Sequence, residues 1–343
     1  MKNITRRKTL VYISISFFLT ASLLVFSTAK AEHPLNGLEG EAFSDPSKQI
    51  QMPEEWIKKP VIYDKDNQGA DLVISFNQQI YHTFLPLIND YAKKYGLNIK
   101  ISEGTCGNSA GVLSNKSADM AMFCCPPGEN DRLPGLIFHT MGVTPIALLV
   151  HPDNPIENVT FKQAQDIFSG EIHKWSELRD ASGQPGPNLL VRPVGRLHCK
   201  KRPGHWKLLL DNIDLFSPRL SEVGAIPDMI AVLFSDQSAI GYETLWMAHY
   251  KYKQRGKVKA LKIDGLAPDE LEHLISGKYP LYRVFSITIW GGKGLANPHA
   301  QKLVDYLLEK IEQLESKLGI IPASRLRKAG WKFKGNELVG KPG

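Results

Sequence analysis

Apolar positions along this chain fall into short runs whose spacing switches between two periods. Residues 71–75 (Asp-Leu-Val-Ile-Ser) and 97–102 are compact and β-branched, which reads as strand. Between them Phe84, Leu87, Ile88 and Tyr91 recur three and four residues apart, which predicts an amphipathic helix over 80–95. A loop of small residues, Gly104-Thr-Cys-Gly-Asn-Ser-Ala-Gly111, opens a helix near Val112. A third strand over 118–123 ends at Cys124-Cys125-Pro126-Pro127.

The second half repeats the alternation. An apolar strand covers 144–150, and Thr160-Phe-Lys-Gln163 is a capping box that starts a helix ending near Phe168. Strands are predicted at 189–194, 238–242, 258–263 and 281–290, and helical segments at 207–212 and 269–275. Asn297 and Pro298 suit the N-cap and first position of a last helix, which runs to Leu318 and stops at Gly319. Strands alternating with helices predict an α/β fold with a mainly parallel sheet. Residues 32–69 are polar and rich in Pro, Gly and Asp, as a mobile leader or a wrapped arm would be. Residues 331–343 are expected to form a C-terminal tail.

Composition changes this picture at the N-terminus. Residues 1–31 carry a basic start (Lys2, Arg6, Arg7, Lys8), an apolar run over 10–26 and Ala29-Lys30-Ala31, the pattern of a cleavable export signal. Their removal takes five of the 42 basic residues and no acidic one, leaving 37 against 35. The +7 of the whole chain therefore shrinks to about +2, which speaks against a nucleic-acid partner. No later stretch is long and apolar enough for a membrane span. Export places the chain in the periplasm, where cysteines raise disulfides first.

Candidate chemistry concentrates at 191–206, which reads Val-Arg-Pro-Val-Gly-Arg-Leu-His-Cys-Lys-Lys-Arg-Pro-Gly-His-Trp. Arg196, Lys200, Lys201 and Arg202 suit an anion clamp, with Arg196 as a bidentate donor. Cys199 between His198 and His205 suits a soft metal or, less simply, a nucleophile with an imidazole base.

Three stretches carry a family resemblance. Residues 151–175 contain Asp-Ile-Phe-Ser-Gly-Glu-Ile-His-Lys-Trp175, the residues Ala239-Ile-Gly-Tyr242 form a second match, and Gly277-Lys-Tyr-Pro-Leu-Tyr-Arg283 a third. Together they resemble the phosphate-binding proteins of phosphate ABC transporters. The resemblance implies a two-lobed type II periplasmic binding protein fold with mixed, mostly parallel sheets. Lobe one would hold 70–150 and 284–330, lobe two 151–283. It implies no catalysis and no cofactor, a small oxyanion as ligand, an ABC permease or membrane sensor as partner, and a monomer.

Carried over position by position, the resemblance places ligand contacts at Asn77, Gln79, Cys106, Gly107, Asp119, Arg196, Cys199 and Lys200. Yet the hydroxyl donors of that family are missing here. Amides stand at 77–79, and Cys199-Lys200-Lys201-Arg202 replaces a Gly-Ser-Gly-Thr run. All four cysteines, Cys106, Cys124, Cys125 and Cys199, fall on loops that the resemblance assigns to the ligand. They are open to three readings. One is structural disulfides. Another is thiolate capture of a soft metal or metalloid such as copper(I) or arsenite, with His198 assisting. The third is an enzyme built on Cys199 and a histidine.

Overall fold

The computed structural model describes residues 42–246, 257–314 and 318–343. The expected export signal at 1–31 lies outside the described residues. Residues 42–70 form a wrapped arm with one short helix, α1 (Glu54–Lys58). Its carbonyl end is held by one buried cation: the Lys116 ammonium donates to the carbonyls of Trp56, Ile57 and Lys59 at 2.7, 3.1 and 2.6 Å. A cation at a helix C-terminus satisfies carbonyls that have no partner within the helix.

β1 (Leu72–Asn77) is buried along its whole length because both of its faces are covered. α2 (Tyr81–Tyr95) turns Phe84, Ile88 and Tyr91 inward, as their spacing predicts, and ends at Gly96 in the left-handed conformation. β2 (Ile99–Gly104) and β3 (Met120–Phe123) flank β1 in parallel, with α3 (Cys106–Ser114) between them in the chain. α3 begins six residues before the expected start. Thr105 Oγ1 accepts from the Asn108 amide at 3.3 Å while Asn108 Oδ1 accepts from the Thr105 amide at 2.9 Å. This reciprocal cap uses Asn where the familiar pattern has Glu or Gln, so the sequence signal is weak.

β4 (Leu136–Val150) runs for 15 residues, twice the expected length. It is followed by β5 (Asn158–Val159), α4 (Phe161–Ser169) after the predicted Thr160 cap, β6 (Arg192–Gly195), β7 (Ser221–Glu222) and α5 (Ile226–Ser235). Next come β8 (Ala239–Thr244), β9 (Lys259–Ile263), α6 (Leu271–Ile275), β10 (Tyr282–Trp290) and α7 (Pro298–Ile311). The segment expected to be helical at 207–212 is a 3-10 turn at His205–Leu208 instead. α7 ends seven residues before the expected Leu318.

Two lobes share β4. From Leu136 to Pro145 it pairs antiparallel with β10, and from Ile146 to Val150 with β8. Met141 joins a core with Leu72, Phe76, Met122, Phe285 and Leu303. Ala147 and Leu149 join a second core with Val194, Met229 and Leu233. The sheet is mixed: parallel on the flanks, antiparallel where β4 and β10 cross between lobes. The polar residues His139 and Thr140 mask the first half of β4 in the sequence. Both are buried because the expected tail is an ordered hairpin, β11 (Lys332–Lys334) with β12 (Glu337–Gly340). Thr140 Oγ1 accepts from the Leu338 amide at 2.9 Å, and Glu337 forms an ion pair with buried Arg132 at 2.6 Å. Among the described residues, no helix is long and apolar enough to cross a membrane.

Candidate functional site

Lobe one contributes three buried thiols. The early start of α3 makes Cys106 its first helical residue, and the buried run of β3 delivers Cys124 and Cys125 beside it. The sulfurs of Cys106 and Cys124 are 3.4 Å apart, a non-bonded contact, and none of the four cysteines is in a disulfide. Asn77 Nδ2 donates to Cys106 Sγ at 3.2 Å, and the Cys124 amide donates to it at 3.4 Å.

Lobe two contributes the fourth. After β6 the chain enters a tight loop in which Cys199 has φ 59° and His205 φ 58°. Such left-handed geometry at a residue with a Cβ costs about 1–2 kcal/mol, so surrounding contacts must hold it. The Arg202 amide closes the turn on the Cys199 carbonyl at 2.9 Å. The Arg202 guanidinium then grips Asp131 of lobe one through two bonds of 2.7 and 2.5 Å and lies over the Phe123 ring. The loop sits so close that a Cβ at Gly128 would be 2.4 Å from the Lys201 carbonyl. This seating brings the sulfurs of Cys106, Cys125 and Cys199 all within 4.8 Å of one another.

Cys124, Cys125 and Cys199 differ in ionisation. Thiol hydrogen bonds from Cys106 and then Cys125 hold Cys199 far below the ordinary thiol range, with the charge of Arg202 adding to this. Cys125, which shares its hydrogen with Cys106 and the other sulfurs, is pushed well up, and the contact with Cys106 raises Cys124. Of these three, Cys199 is the one that carries a thiolate. His198 is pushed down to about 4 by burial and by Arg196, and His205 falls well below its ordinary value by burial and by Arg283. Both imidazoles are neutral near pH 7.

Behind the sulfurs lies a buried charge array that the sequence reading did not single out. Glu243, at the end of β8, is 3.4 Å from Arg196 Nη1 and 3.5 Å from Arg283 Nη2. Arg283 also donates through Nη1 to the Cys124 sulfur at 3.2 Å and to its carbonyl at 3.4 Å. Arg196 Nε, Arg283 Nε and both ring nitrogens of His205 have no hydrogen-bond partner among the described residues. The motif ends offered a signal, since Glu243 directly follows the Ala239–Tyr242 match and Arg283 closes the third match.

The expected site residues divide. Cys106, Cys124, Cys125 and Cys199 converge, and Asn77 touches them. Gly107, Arg196, His198 and Cys199 line a cleft of about 400 Å³ with Gln78, Thr105, Arg202 and Glu222. Gln79 donates through Nε2 to Glu243 at 3.3 Å. Lys200 is exposed at the rim. Asp119 stands apart from the thiols. It precedes β3 at the end opposite Cys124, where its Oδ2 accepts from Tyr63 at 2.6 Å and from the Val73 amide at 2.8 Å. Five residues of extended chain put it roughly 16 Å from the thiols. It fastens the wrapped arm to lobe one.

The profile of the PBP superfamily domain matches residues 63–310. The chain belongs to the PBP superfamily. The match encloses all four cysteines, Arg196, Glu243 and Arg283. Over 256 residues the chain is 27% identical to the phosphate-binding protein PstS of Bacillus subtilis (strain 168), covering 71% of this chain and 78% of that one. A structure from Clostridium perfringens, described as a phosphate ABC transporter substrate-binding protein with bound phosphate, superposes with a TM-score of 0.61. It shares 18% identity and covers 74% of this chain and 99% of its own. An ABC-type phosphate transport receptor from Vibrio cholerae superposes with a TM-score of 0.58 at 19% identity, covering 73% of this chain and 99% of its own. At these identities the two structures establish the shared two-lobed fold.

Proposed function

We propose that this PBP-superfamily chain captures a thiophilic species, a soft metal ion or trivalent metalloid, in its interlobe cleft and hands it to a membrane permease or sensor from the periplasm. The observation that carries this reading is the approach of Cys106, Cys125 and Cys199 to within 4.8 Å, with sulfurs from both lobes. Three sulfurs around a metal at about 2.3 Å lie roughly 4 Å apart, so little motion is needed. Buried, unoxidised thiols with few neighbouring hydroxyls form a soft donor set. Because the third sulfur comes from lobe two, ligand and closure favour one another, which is how a two-lobed binder couples capture to shape.

A second reading, capture of a phosphate-like oxyanion, is favoured by Arg196 on the cleft wall together with Gly107 in the first turn of α3. The relatives described as phosphate-binding support it as well. Against it, Arg196 is engaged by Glu243 and Gln79 is turned to the same carboxylate. The enzyme reading loses its base. The neighbours that acidify Cys199 most are thiols, and His198 Nδ1 lies 3.1 Å from the Arg196 carbonyl.

Thermal melting of the reduced protein with copper(I), arsenite, phosphate, sulfate and arsenate separates the readings, since a ligand that binds the folded state raises the melting temperature by mass action. The expected result is a rise with a thiophilic probe that disappears in Cys125→Ser, a loss of at least about 100-fold in affinity. A rise with phosphate that survives Cys125→Ser overturns the thiophilic reading in favour of the oxyanion.

A further inference from the structure

We infer that the buried arginine and glutamate array behind the thiols selects bound species by charge, favouring a soft divalent cation held by three thiolates, or a monovalent cation held by two, over a trivalent metalloid. The inference rests on the thiophilic reading above and sharpens which ligand that site takes.

The fixed charges facing the sulfurs can be counted. Arg196 and Arg283 are 4% and 1% exposed, and Glu243 is 1% exposed. Two guanidinium groups share one carboxylate, so the array carries one positive charge in excess. Arg196 Nε and Arg283 Nε have no hydrogen-bond partner among the described residues. Arg202 does not add to the excess, since Asp131 neutralises it across the lobe joint. Lys200, Lys201 and the cleft-wall Glu222 are exposed, where water and salt screen them. The excess charge is in direct reach of the sulfurs, because Arg283 Nη1 is 3.2 Å from Cys124 Sγ, which is 3.4 Å from Cys106 Sγ.

The ligand complex must balance this charge in a medium that penalises isolated ions. A divalent cation held by three thiolates takes the place of the protons that remain on those sulfurs, which pass to solvent, and forms a complex of charge −1 that neutralises the array. A monovalent cation held by two thiolates likewise gives −1. Arsenite reacts differently: As(OH)3, two thiols, the Cys199 thiolate and one proton from solvent give a neutral tris-thiolate and three waters, with each As–O bond replaced by As–S. That product leaves the array's positive charge buried and uncompensated. Cys124 stays outside the three-sulfur set as a thiol, held by Arg283 and by Cys106, so the complex does not gain a second negative charge.

The test measures cadmium and arsenite affinities of the reduced full chain, each read from its sulfur-to-metal absorbance and from calorimetry. Arg283→Met and Arg196→Met each remove one positive charge and leave the other arginine paired with Glu243. In both variants the ratio of cadmium to arsenite affinity should fall at least tenfold from its wild-type value. A purely structural role would weaken both ligands together and leave the ratio unchanged. If the ratio stays within twofold in whichever variants fold, the inference is overturned while the thiophilic reading stands. If neither probe binds the wild type through its cysteines, the thiophilic reading itself fails. Should Arg283→Met fail to fold because it loses its bond to the Cys124 carbonyl, Arg196→Met decides the outcome.

Discussion

The two walls of the cleft are built on opposite plans. Lobe one presents three sulfurs on regular elements, the first turn of α3 and the end of β3, fully buried and fixed by sheet register. Lobe two presents one sulfur on an irregular loop with left-handed residues, and supplies Arg196, Glu243 and Arg202 around it. A rigid half-site facing a loop-borne half-site is what a closing binder requires. In this structure Arg202 meets Asp131, and the loop-borne Cys199 lies beside the sulfurs of lobe one. The sulfurs give the site its softness, and the charged groups give it its electrostatic balance.

The largest blow to this division falls on the charged side. Glu243→Gln leaves two buried guanidinium groups facing each other, and the removal of one partner from a buried charge set costs roughly 3–5 kcal/mol. Chemical denaturation should show a drop of that size. A change below about 1 kcal/mol would mean that the array is solvated. Next in size is the joint between the walls. Arg202→Ala removes two charge-assisted bonds, worth roughly 2 kcal/mol, and should shift ligand-free protein toward an open form. X-ray scattering would show a larger radius of gyration, and hydrogen exchange would show faster exchange in 199–206.

A smaller effect concerns the single thiolate. Cys199 is lowered to about 4 by its thiol neighbours and Arg202. For an acid group whose folded value is depressed, the stabilisation is present in full above the unfolded thiol value of about 8.5 and is lost as pH falls through the folded value. Alkylation of Cys199 by iodoacetamide should therefore be nearly flat between pH 5 and 8. A rate that rises tenfold per pH unit across that range would show an ordinary thiol. The smallest effects belong to two residues outside both walls. Asp119→Asn and Lys200→Ala should leave ligand affinity within twofold, and Asp119→Asn should instead loosen the arm through Tyr63. A tenfold loss of affinity in either would redraw the site.

Much of the fold was legible because burial imposes periodicity. The α2 face, the Thr160 cap and the start of α7 at Asn297–Pro298 follow from local rules. The first half of β4 was not, because His139 and Thr140 look like surface residues until the C-terminal hairpin covers them. The start of α3 was missed because its cap uses Asn108. In the site, Arg196 and the cysteines stood out as residue types on matched loops. Glu243 and Arg283 did not, because an acid and a base at strand ends are unremarkable until the strands cross.

The alternation of strands and helices, the superfamily and the loops that carry thiols can be read along the chain, since each depends on neighbours within a few residues or on a short motif. The folded arrangement is what brings Cys106, Cys125 and Cys199 together, sets Asp119 at the other end of its strand, and lets two arginines share one glutamate. Those facts depend on which strands cross and how one loop docks, and such distances are fixed by packing between segments far apart in the chain.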